Sequence, residues 1–339
     1  MRLKDIAREA GVSISTVSRV ISNPSTNAAS PEKRDLILKI AEEGGYLNHA
    51  VSIPDRPIAP GEPNMLYCML AIDPLEYNGN PYFSTLMSGL RLAARRYNCI
   101  VQYYFPTRSG SFVDFTPPAP DQSVQGLIII GRFDPEILDS LKDVYKNVAY
   151  VGLNTLDADC DQIICEGSEA ACAAVHYLYN KGHRRIGFLG SSDDRRFDGY
   201  KKALQELSLP LSEQAYLNDV VMSIDGGYHG MQQLIQKHNG GIPATAIFCA
   251  SDTISIGALH ACNENVIRVP KDVALMGLDD SEMTRYISPT LSSVHIPLEE
   301  MGQFAVKVLF DRIHDHQHAV IRTYFPFEIV ERESTQIQA

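Results

Sequence analysis

From residue 64 onward the sequence alternates short apolar runs with longer amphipathic stretches, and this alternation restricts the fold more than any other feature. A run such as 126–130 has the length of a strand, whereas 298–314 repeats apolar residues at helical spacing. Alternating strands and helices predict parallel sheets covered by helices on both faces. About nine strands are too many for one such sheet, so we expect an α/β core of two lobes with a cleft between them.

The predicted elements and lobes can be placed along the chain. We predict strands at Met65–Ile72, Ile100–Phe105, Gly126–Ile130, Val148–Gly152, Gln162–Cys165, Arg185–Gly190, Ala246–Ala250, Val273–Gly277 and Tyr324–Val330. We predict helices at Phe83–Tyr97, Ser168–Lys181, Phe197–Leu207, Gly226–Lys237, Thr253–Asn263 and Leu298–His314, with Ser168 as a helix N-cap. We expect lobe one at about 64–160 and 292–320, and lobe two at about 161–291 and 321–339.

The first 49 residues follow a different, all-helical pattern. Apolar residues at helical spacing stop at Gly11 and resume at Val12, as in a helix-turn-helix in which glycine supplies a positive φ. Ser13 is placed to cap the second helix. A third helix is predicted after Ser30 and Pro31. The second helix carries a small polar face with Arg19, which favours DNA reading over the alternative, a helical bundle that packs on the core.

The net charge limits how this module can hold DNA. The chain has 30 basic and 41 acidic residues and a net charge of −11. Residues 1–49 hold seven Lys/Arg and six Asp/Glu, so one module has only a weak nonspecific attraction to phosphate. A second copy or a specific fit must therefore contribute to binding, and we expect a homodimer on a near-palindromic operator. The tail at 331–339 has no leucine heptads, which favours a dimer over a tetramer.

Three short motifs carry a family resemblance: Leu3-Lys4-Asp5-Ile6-Ala7, Ala10-Gly11-Val12-Ser13 and Thr16-Val17-Ser18-Arg19-Val20. They resemble the amino-terminal signature of the LacI/GalR family of bacterial transcription regulators. The resemblance implies that DNA is contacted by Ser13, Ile14, Ser15, Thr16, Ser18 and Arg19, with Ile14 and Ser15 choosing among operators. It also implies that the DNA backbone is anchored by Leu3, Ser30 and Lys33.

The segment 50–63 departs from that family. Members usually continue with a hinge helix whose leucine enters the minor groove, but here a proline stands at every third position from Pro54 to Pro63. This spacing disfavours a helix beyond about Ile53 and predicts an extended linker. Ile53 could replace the leucine as an apolar wedge, or it could belong to a flexible tether.

Ligands of open α/β sheets bind at the carboxyl ends of the strands, where several polar residues are expected. Carboxylates, an arginine and aromatic rings are suited to a polyhydroxylated sugar. Such residues stand at Asp73, Asn80, Arg195, Arg196, Ser251, Asp252, Asp279 and Asp280, with Tyr82 and Phe83 beside them. Asp252 could serve equally as a helix N-cap.

The resemblance extends through the core, with Arg196-Phe197-Asp198-Gly199-Tyr200 and Gly277-Leu278-Asp279-Asp280 among its landmarks. It implies a periplasmic-binding-protein-like core whose effector cleft is lined by Tyr82, Phe83, Arg196, Ser251 and Asp279. Asp73 joins this predicted site because of its place after the first strand. Ser251 departs from the usual Asn, and Cys165 from an Asp that often contacts ligand. The stretch 250–257 resembles the Ebg-type galactoside repressors, which favours a galactoside as effector.

Other classes of function are less well supported. The sequence has no Gly-rich nucleotide loop, no H-E-x-x-H and no G-x-S-x-G, so we expect no enzyme and no cofactor. The cluster at 314–318 could bind a metal, but a solvated loop is favoured and no metal is predicted. A periplasmic-type sugar-binding protein and a DNA-binding regulator without an effector are the alternatives. Neither a secretion signal nor a membrane span is evident, and the seven cysteines lack a C-x-x-C pair, so we expect a cytoplasmic protein with reduced thiols.

Overall fold

The computed structural model describes residues 3–13, 16–17, 20, 29–43, 62–72, 77, 80–105, 107–109, 112–114, 123–131, 135–212, 215–315 and 319–336. The chain divides into two compact units, Met1–Asp55 and Arg56–Ala339, and the division falls within the predicted linker segment 50–63. Residues 50–61 of that linker, with Ile53, lie outside the described residues. No described helix has the length and apolarity that a bilayer-spanning segment needs.

The first unit is helical, as the spacing of its apolar residues predicts. Its described helices are α1 (Leu3–Ala10) and α2 (Pro31–Glu43), and Thr16, Val17 and Val20 are also helical. Gly11 has φ +66°, the left-handed conformation expected of a glycine between two helices. A small apolar core joins the three helical stretches: Ile6, Ala7, Ala10, Val17, Val20, Ile37 and Ile40.

The second unit contains two six-stranded sheets with helices between successive strands. The strands are β1 (Asn64–Ala71), β2 (Cys99–Tyr104), β3 (Thr107–Ser109), β4 (Phe112–Asp114), β5 (Val124–Gly131), β6 (Val148–Gly152), β7 (Asp161–Ile164), β8 (Ile186–Leu189), β9 (Tyr216–Leu217), β10 (Ala246–Cys249), β11 (Ala274–Asp279), β12 (Ser292–His295), β13 (Arg322–Tyr324) and β14 (Glu328–Val330). The helices are α3 (Pro81–Arg96), α4 (Pro135–Val144), α5 (Gly167–Asn180), α6 (Arg195–Glu206), α7 (Ile224–Lys237), α8 (Asp252–Glu264) and α9 (Leu298–Asp315).

The strand order defines the two lobes. The first sheet runs β13-β7-β6-β5-β1-β2 and the second runs β14-β12-β11-β10-β8-β9. Within the described parts of these two sheets, neighbouring strands are parallel except β12 and β14, which are antiparallel. The strands β3 and β4 form a separate hairpin. Two parallel sheets with interleaved helices confirm the predicted α/β core of two lobes.

The predicted lobe boundaries need correction in three places. The strand β7 was expected in lobe two, but it pairs with β6 in the first sheet. Residues 292–295 were expected in lobe one and were not predicted as a strand, but they form β12, which pairs with β11 in the second sheet. The predicted strand Tyr324–Val330 is two strands, of which β13 joins the first sheet and β14 the second. Pro326 lies between them and lacks the amide hydrogen that a continuous ladder requires.

Candidate functional site

The predicted DNA-reading residues are only partly within the described residues. Ser13 begins the second helical stretch: its Oγ accepts a hydrogen bond from the Thr16 amide at 3.1 Å and lies 2.8 Å from Thr16 Oγ1. Ser13 therefore has the predicted capping role. Leu3 is the first residue of α1. Ile14, Ser15, Ser18 and Arg19 lie outside the described residues.

Ser30 and Lys33, the two predicted anchors of the DNA backbone at the start of α2, have structural roles as well. Ser30 precedes α2 and its Oγ accepts a hydrogen bond from the Lys33 amide at 3.4 Å. Lys33 Nζ donates to the carbonyl of Ala10, the last residue of α1, at 2.7 Å. A cation at this position satisfies an otherwise open carbonyl at the negative end of the helix dipole. Lys33 thus joins α1 to α2, and its ammonium group has further N–H groups that can donate hydrogen bonds to a phosphate.

In the second unit a cavity of about 250 Å³ lies where the carboxyl ends of strands from both sheets meet. It is lined by Ala71, Ile72, Asn80, Tyr82, Phe83, Gly131, Tyr150, Gly152, Leu153, Asn154, Asp194, Arg196, Met222, Ser251 and Asp279. Ala71 and Gly131 end strands of the first sheet, and Asp279 ends a strand of the second. The cavity is therefore the expected cleft at the switch between the lobes.

Arg196 is fixed in this cavity by three other residues. Its Nε and Nη2 donate to the two carboxylate oxygens of Asp194 at 2.7 and 2.6 Å, and its Nη1 donates to the Ala250 carbonyl at 2.6 Å. Nη2 also lies 4.0 Å from the sulfur of Met222. These contacts use at most four of the five N–H groups of the guanidinium. A held arginine with a remaining donor is suited to bond a ligand hydroxyl.

Asp279 offers hydrogen-bond acceptors to the cavity, whereas Arg196 offers donors. Its side chain is buried, its backbone has φ +120°, and its Oδ1 has no hydrogen-bond partner among the described residues. Burial raises the pKa of this carboxyl well above its usual value, although the Arg196 guanidinium opposes that shift. Asn154 also lines the cavity, and its Oδ1 likewise lacks a partner in the described chain. A ligand with hydroxyl donors would satisfy both oxygens.

Aromatic side chains form another part of the cavity wall. The rings of Tyr82 and Phe83 lie 4.9 Å apart at 74°, at the start of α3. Asn80 caps that helix, because its Oδ1 accepts the Tyr82 amide hydrogen at 3.1 Å. Tyr150 extends from β6, and its hydroxyl donates to the Gly131 carbonyl at 3.0 Å. Such rings can pack against the C–H face of a sugar while the charged groups bond its hydroxyls.

The side chains of Ser251 and Asp252 have different roles, although the two residues are adjacent in sequence. Ser251 lines the cavity and is the N-cap of α8, its Oγ accepting the Ile254 amide at 3.3 Å. Asp252 is buried below it and accepts from the Ser281 amide and from Ser293 Oγ, each at 2.6 Å. The predicted N-cap role thus belongs to Ser251, and Asp252 joins α8 to the strand ends beside it. Ser168 is not the predicted cap either, since it lies inside α5 and Glu166 precedes that helix.

Five of the six predicted effector residues line the one cavity: Tyr82, Phe83, Arg196, Ser251 and Asp279. Asp73 lies outside the described residues. Sequence analysis missed Tyr150, Asn154, Asp194 and Met222. Asp194 carried a usable signal, because an Asp just before a predicted helix is a common N-cap. Asn154 and Met222 lie in connecting segments and had no such signal. The seven cysteines are all free, in agreement with the predicted reduced thiols, and all are buried.

Comparisons with known proteins agree with this architecture. A family model described as bacterial regulatory proteins, lacI family, matches residues 2–48, and one described as a periplasmic binding protein-like domain matches residues 175–335. The ribose operon repressor of Haemophilus influenzae is 31% identical over 92% of this chain and 91% of its own length. The HTH-type transcriptional regulator GanR of Bacillus subtilis is 29% identical over 98% of both chains.

Solved structures share the fold at lower identity. A transcriptional regulator CelR–cellobiose complex has a TM-score of 0.69 and 23% identity, covering 98% of this chain and 99% of its own. The lac repressor dimer bound to operator and the anti-inducer ONPF has a TM-score of 0.68 and 21% identity, with 99% of both chains covered.

A helical amino-terminal unit of this kind, followed by a core of two α/β lobes, defines a DNA-binding transcription regulator and not an enzyme. The chain belongs to the LacI family of bacterial regulatory proteins.

Proposed function

We propose that the protein is a homodimeric repressor of sugar-utilisation genes, and that a small sugar bound between the two lobes relieves repression. Two copies would present two recognition helices to a near-palindromic operator. We place the protein in the cytoplasm, because DNA binding requires access to the chromosome. In this proposal the domains are 1–49 for DNA reading, 50–63 as linker and 64–339 for the effector.

The observation that supports a sugar is the polar pattern of the cavity. Asp279 and Asn154 each offer a buried oxygen without a described partner, and Arg196 offers a fixed donor. Hydroxyl groups both donate and accept hydrogen bonds, so a polyol can satisfy all three side chains. Tyr82 and Phe83 would pack on the ring. At about 250 Å³ the cavity is slightly below the usual range of ligand pockets, about 300–1,000 Å³, which favours a ligand of monosaccharide size.

The sugar can act on DNA binding only if it binds the two lobe arrangements with different affinity. The cavity is lined by both lobes, so a ligand contacting Arg196 of the second lobe and Tyr82 of the first would favour one angle between them. We propose that this angle sets the separation of the two amino-terminal modules in the dimer, and that the sugar-bound angle disfavours the operator.

The sugar itself is identified by a binding panel. Galactose and a galactoside are the first candidates because of the sequence resemblance at residues 250–257. Ribose and cellobiose follow, since relatives are a ribose operon repressor and a regulator solved with cellobiose. A sugar present at one hundred times its Kd should stabilise the protein by about 2.7 kcal/mol in thermal unfolding. If no sugar shifts the melting temperature while the protein binds a specific duplex, the second candidate, a regulator without an effector, is supported instead.

A further inference from the structure

Three side chains with metal-ligating chemistry meet between α5 and α6, and none of them lines the cavity. Cys172 and His176 lie on α5 four residues apart, so they occupy one face of the helix on successive turns. Glu206 is the last residue of α6. The sulfur, a ring nitrogen and a carboxylate oxygen of these three residues all lie within 4.8 Å of one another.

The distances within this cluster are close to those of a tetrahedral metal site. Cys172 Sγ lies 3.6 Å from Glu206 Oε2, and His176 Nε2 lies 2.9 Å from the same oxygen. Bond lengths of about 2.3 Å for Zn–S and 2.0–2.2 Å for Zn–N and Zn–O place tetrahedral ligand atoms roughly 3.4–3.6 Å apart. Side-chain rotations that move these atoms by about an ångström would therefore bring them into ligating positions.

The helices that carry these groups are held close together. A Cβ at Gly199 of α6 would lie 2.0 Å from the carbonyl oxygen of Ser168 in α5, so only glycine allows this approach. One turn further along, Lys202 of α6 pairs with Glu169 of α5 at 2.7 Å. Lys202 is thus engaged by Glu169. The Cys172 and Glu206 cluster follows in the same direction along both helices, so its backbone positions are set by helix packing.

We propose that Cys172, His176 and Glu206 bind Zn²⁺, with water as the fourth ligand, and that the ion links α5 to α6. A thiolate with an imidazole selects Zn²⁺ over Mg²⁺ and Ca²⁺, which prefer oxygen ligands. The side chains of His176 and Glu206 are 35% and 46% exposed, so an ion has access from solvent. Cys172 is buried, which gives the site an interior soft ligand.

Binding exchanges protons for the ion without any redox change. The S–H bond of Cys172 breaks, a Zn–S bond forms, and the proton passes to solvent. Burial and the adjacent Glu206 raise the pKa of the Cys172 thiol to about 11, so the thiol carries this proton before the ion binds. His176 binds through Nε2 as the neutral imidazole, with its remaining proton on Nδ1. Glu206 exchanges its hydrogen bond with His176 for a bond to the ion.

The test uses full-length protein with a phosphine reductant, titrated with Zn²⁺ or with Co²⁺ as a spectroscopic probe. The proposal predicts one equivalent of Co²⁺ with a thiolate-to-cobalt charge-transfer band, displaced by Zn²⁺, and a melting temperature that rises with Zn²⁺ concentration. Cys172→Ser should abolish the band. His176→Gln, which keeps a donor for Glu206, and Glu206→Gln should each weaken binding at least about tenfold.

Matched controls come from the same lobe. Cys262→Ser removes another buried thiol. His260→Gln removes another histidine beside a glutamate, since His260 Nε2 lies 3.7 Å from Glu264 Oε1 on the same helix. Both should bind Co²⁺ like the wild type. A wild type without the charge-transfer band, or a band that survives in Cys172→Ser, would overturn the proposal; unchanged affinity in His176→Gln and Glu206→Gln would do the same if Cys172→Ser does not fold. The result is independent of sugar and operator binding, so it can fail while the proposed function holds.

Discussion

Replacing Asp279 by asparagine should separate ligand binding from stability, because the two are expected to respond differently. Asparagine is nearly isosteric and tolerates a positive φ better than most residues, so the backbone at φ +120° is retained. Alanine would lose the shape of the side chain as well as its charge. The substitution therefore mainly replaces one carboxyl oxygen of the buried side chain by an amide nitrogen, so that the side chain can no longer ionise.

The effect on stability follows from the pKa. Burial raises the folded pKa of Asp279 well above its unfolded value, so the folded protein holds this proton more tightly. Its contribution to stability is therefore lost as pH rises from the unfolded pKa to the folded pKa. The amide of the Asp279→Asn variant cannot ionise, so the variant should not lose stability over that range. Above the unfolded pKa we therefore expect its free energy of unfolding to be at least that of the wild type.

The effect on affinity has the opposite sign. A hydrogen bond from a sugar hydroxyl contributes about 1.5–3 kcal/mol to a carboxylate and about 0.5–1.5 kcal/mol to a neutral amide. At a pH above the folded pKa of Asp279, the asparagine variant should therefore bind the sugar more weakly by about 1–1.5 kcal/mol, roughly 5- to 13-fold. Isothermal titration with the sugar found in the panel measures the affinity, and thermal unfolding without sugar measures the stability. An affinity within threefold of the wild type would refute the role of Asp279 in binding. A loss of more than about 2 kcal/mol in stability would refute the argument from burial.

Three further substitutions test other parts of the structure. Gly199→Ala places a Cβ against the Ser168 carbonyl and should lower the free energy of unfolding in denaturant by about 1–3 kcal/mol or more. The control is Gly241→Ala, whose Cβ would lie 3.5 Å from the nearest described atom, and it should change the free energy of unfolding by less than about 0.5 kcal/mol. Equal effects of the two substitutions would contradict the close approach of α5 and α6. Burial raises the pKa of Asp252 to about 6, so the wild type should lose about 2 kcal/mol relative to Asp252→Asn as pH rises from 4 to 6; parallel stability curves would contradict this. Arg19→Ala should abolish specific operator binding in a mobility-shift assay and leave sugar-induced thermal shifts intact, and retained operator affinity would remove Arg19 from DNA reading.

Much of the fold was predictable because apolar runs and helical spacing reflect local burial. The strands that were missed show the limit of that signal. In β12 only Val294 is strongly apolar, and its serine side chains are buried because they find partners: Ser292 Oγ donates to the Arg332 carbonyl, and Ser293 Oγ donates to Asp252 Oδ1. Such long-range satisfaction of polar groups cannot be read from a local pattern.

The same reasoning explains the lobe boundaries. The chain crosses between lobes where Pro326 interrupts a predicted strand, and a proline of this kind is visible in the sequence. The assignment of β7 to the first sheet is not, because a four-residue buried strand gives no information about which neighbour it joins.

For the candidate site, the residues at strand ends and helix starts were predictable from topology and from the family resemblance. Tyr82, Arg196 and Asp279 belong to this group. The contribution of Asn154 and the pairing of Cys172 with Glu206 depend on tertiary packing between segments far apart in the sequence. Neither had a local spacing that distinguishes it from ordinary surface or core residues.

The most direct test of the central proposal is the affinity of full-length protein for a near-palindromic duplex selected from a random pool, measured with and without the sugar that raises the melting temperature. The proposal predicts specific binding that weakens at least about tenfold when the sugar is saturating, a coupling free energy of about 1.4 kcal/mol or more. Equal affinity in both conditions would contradict it.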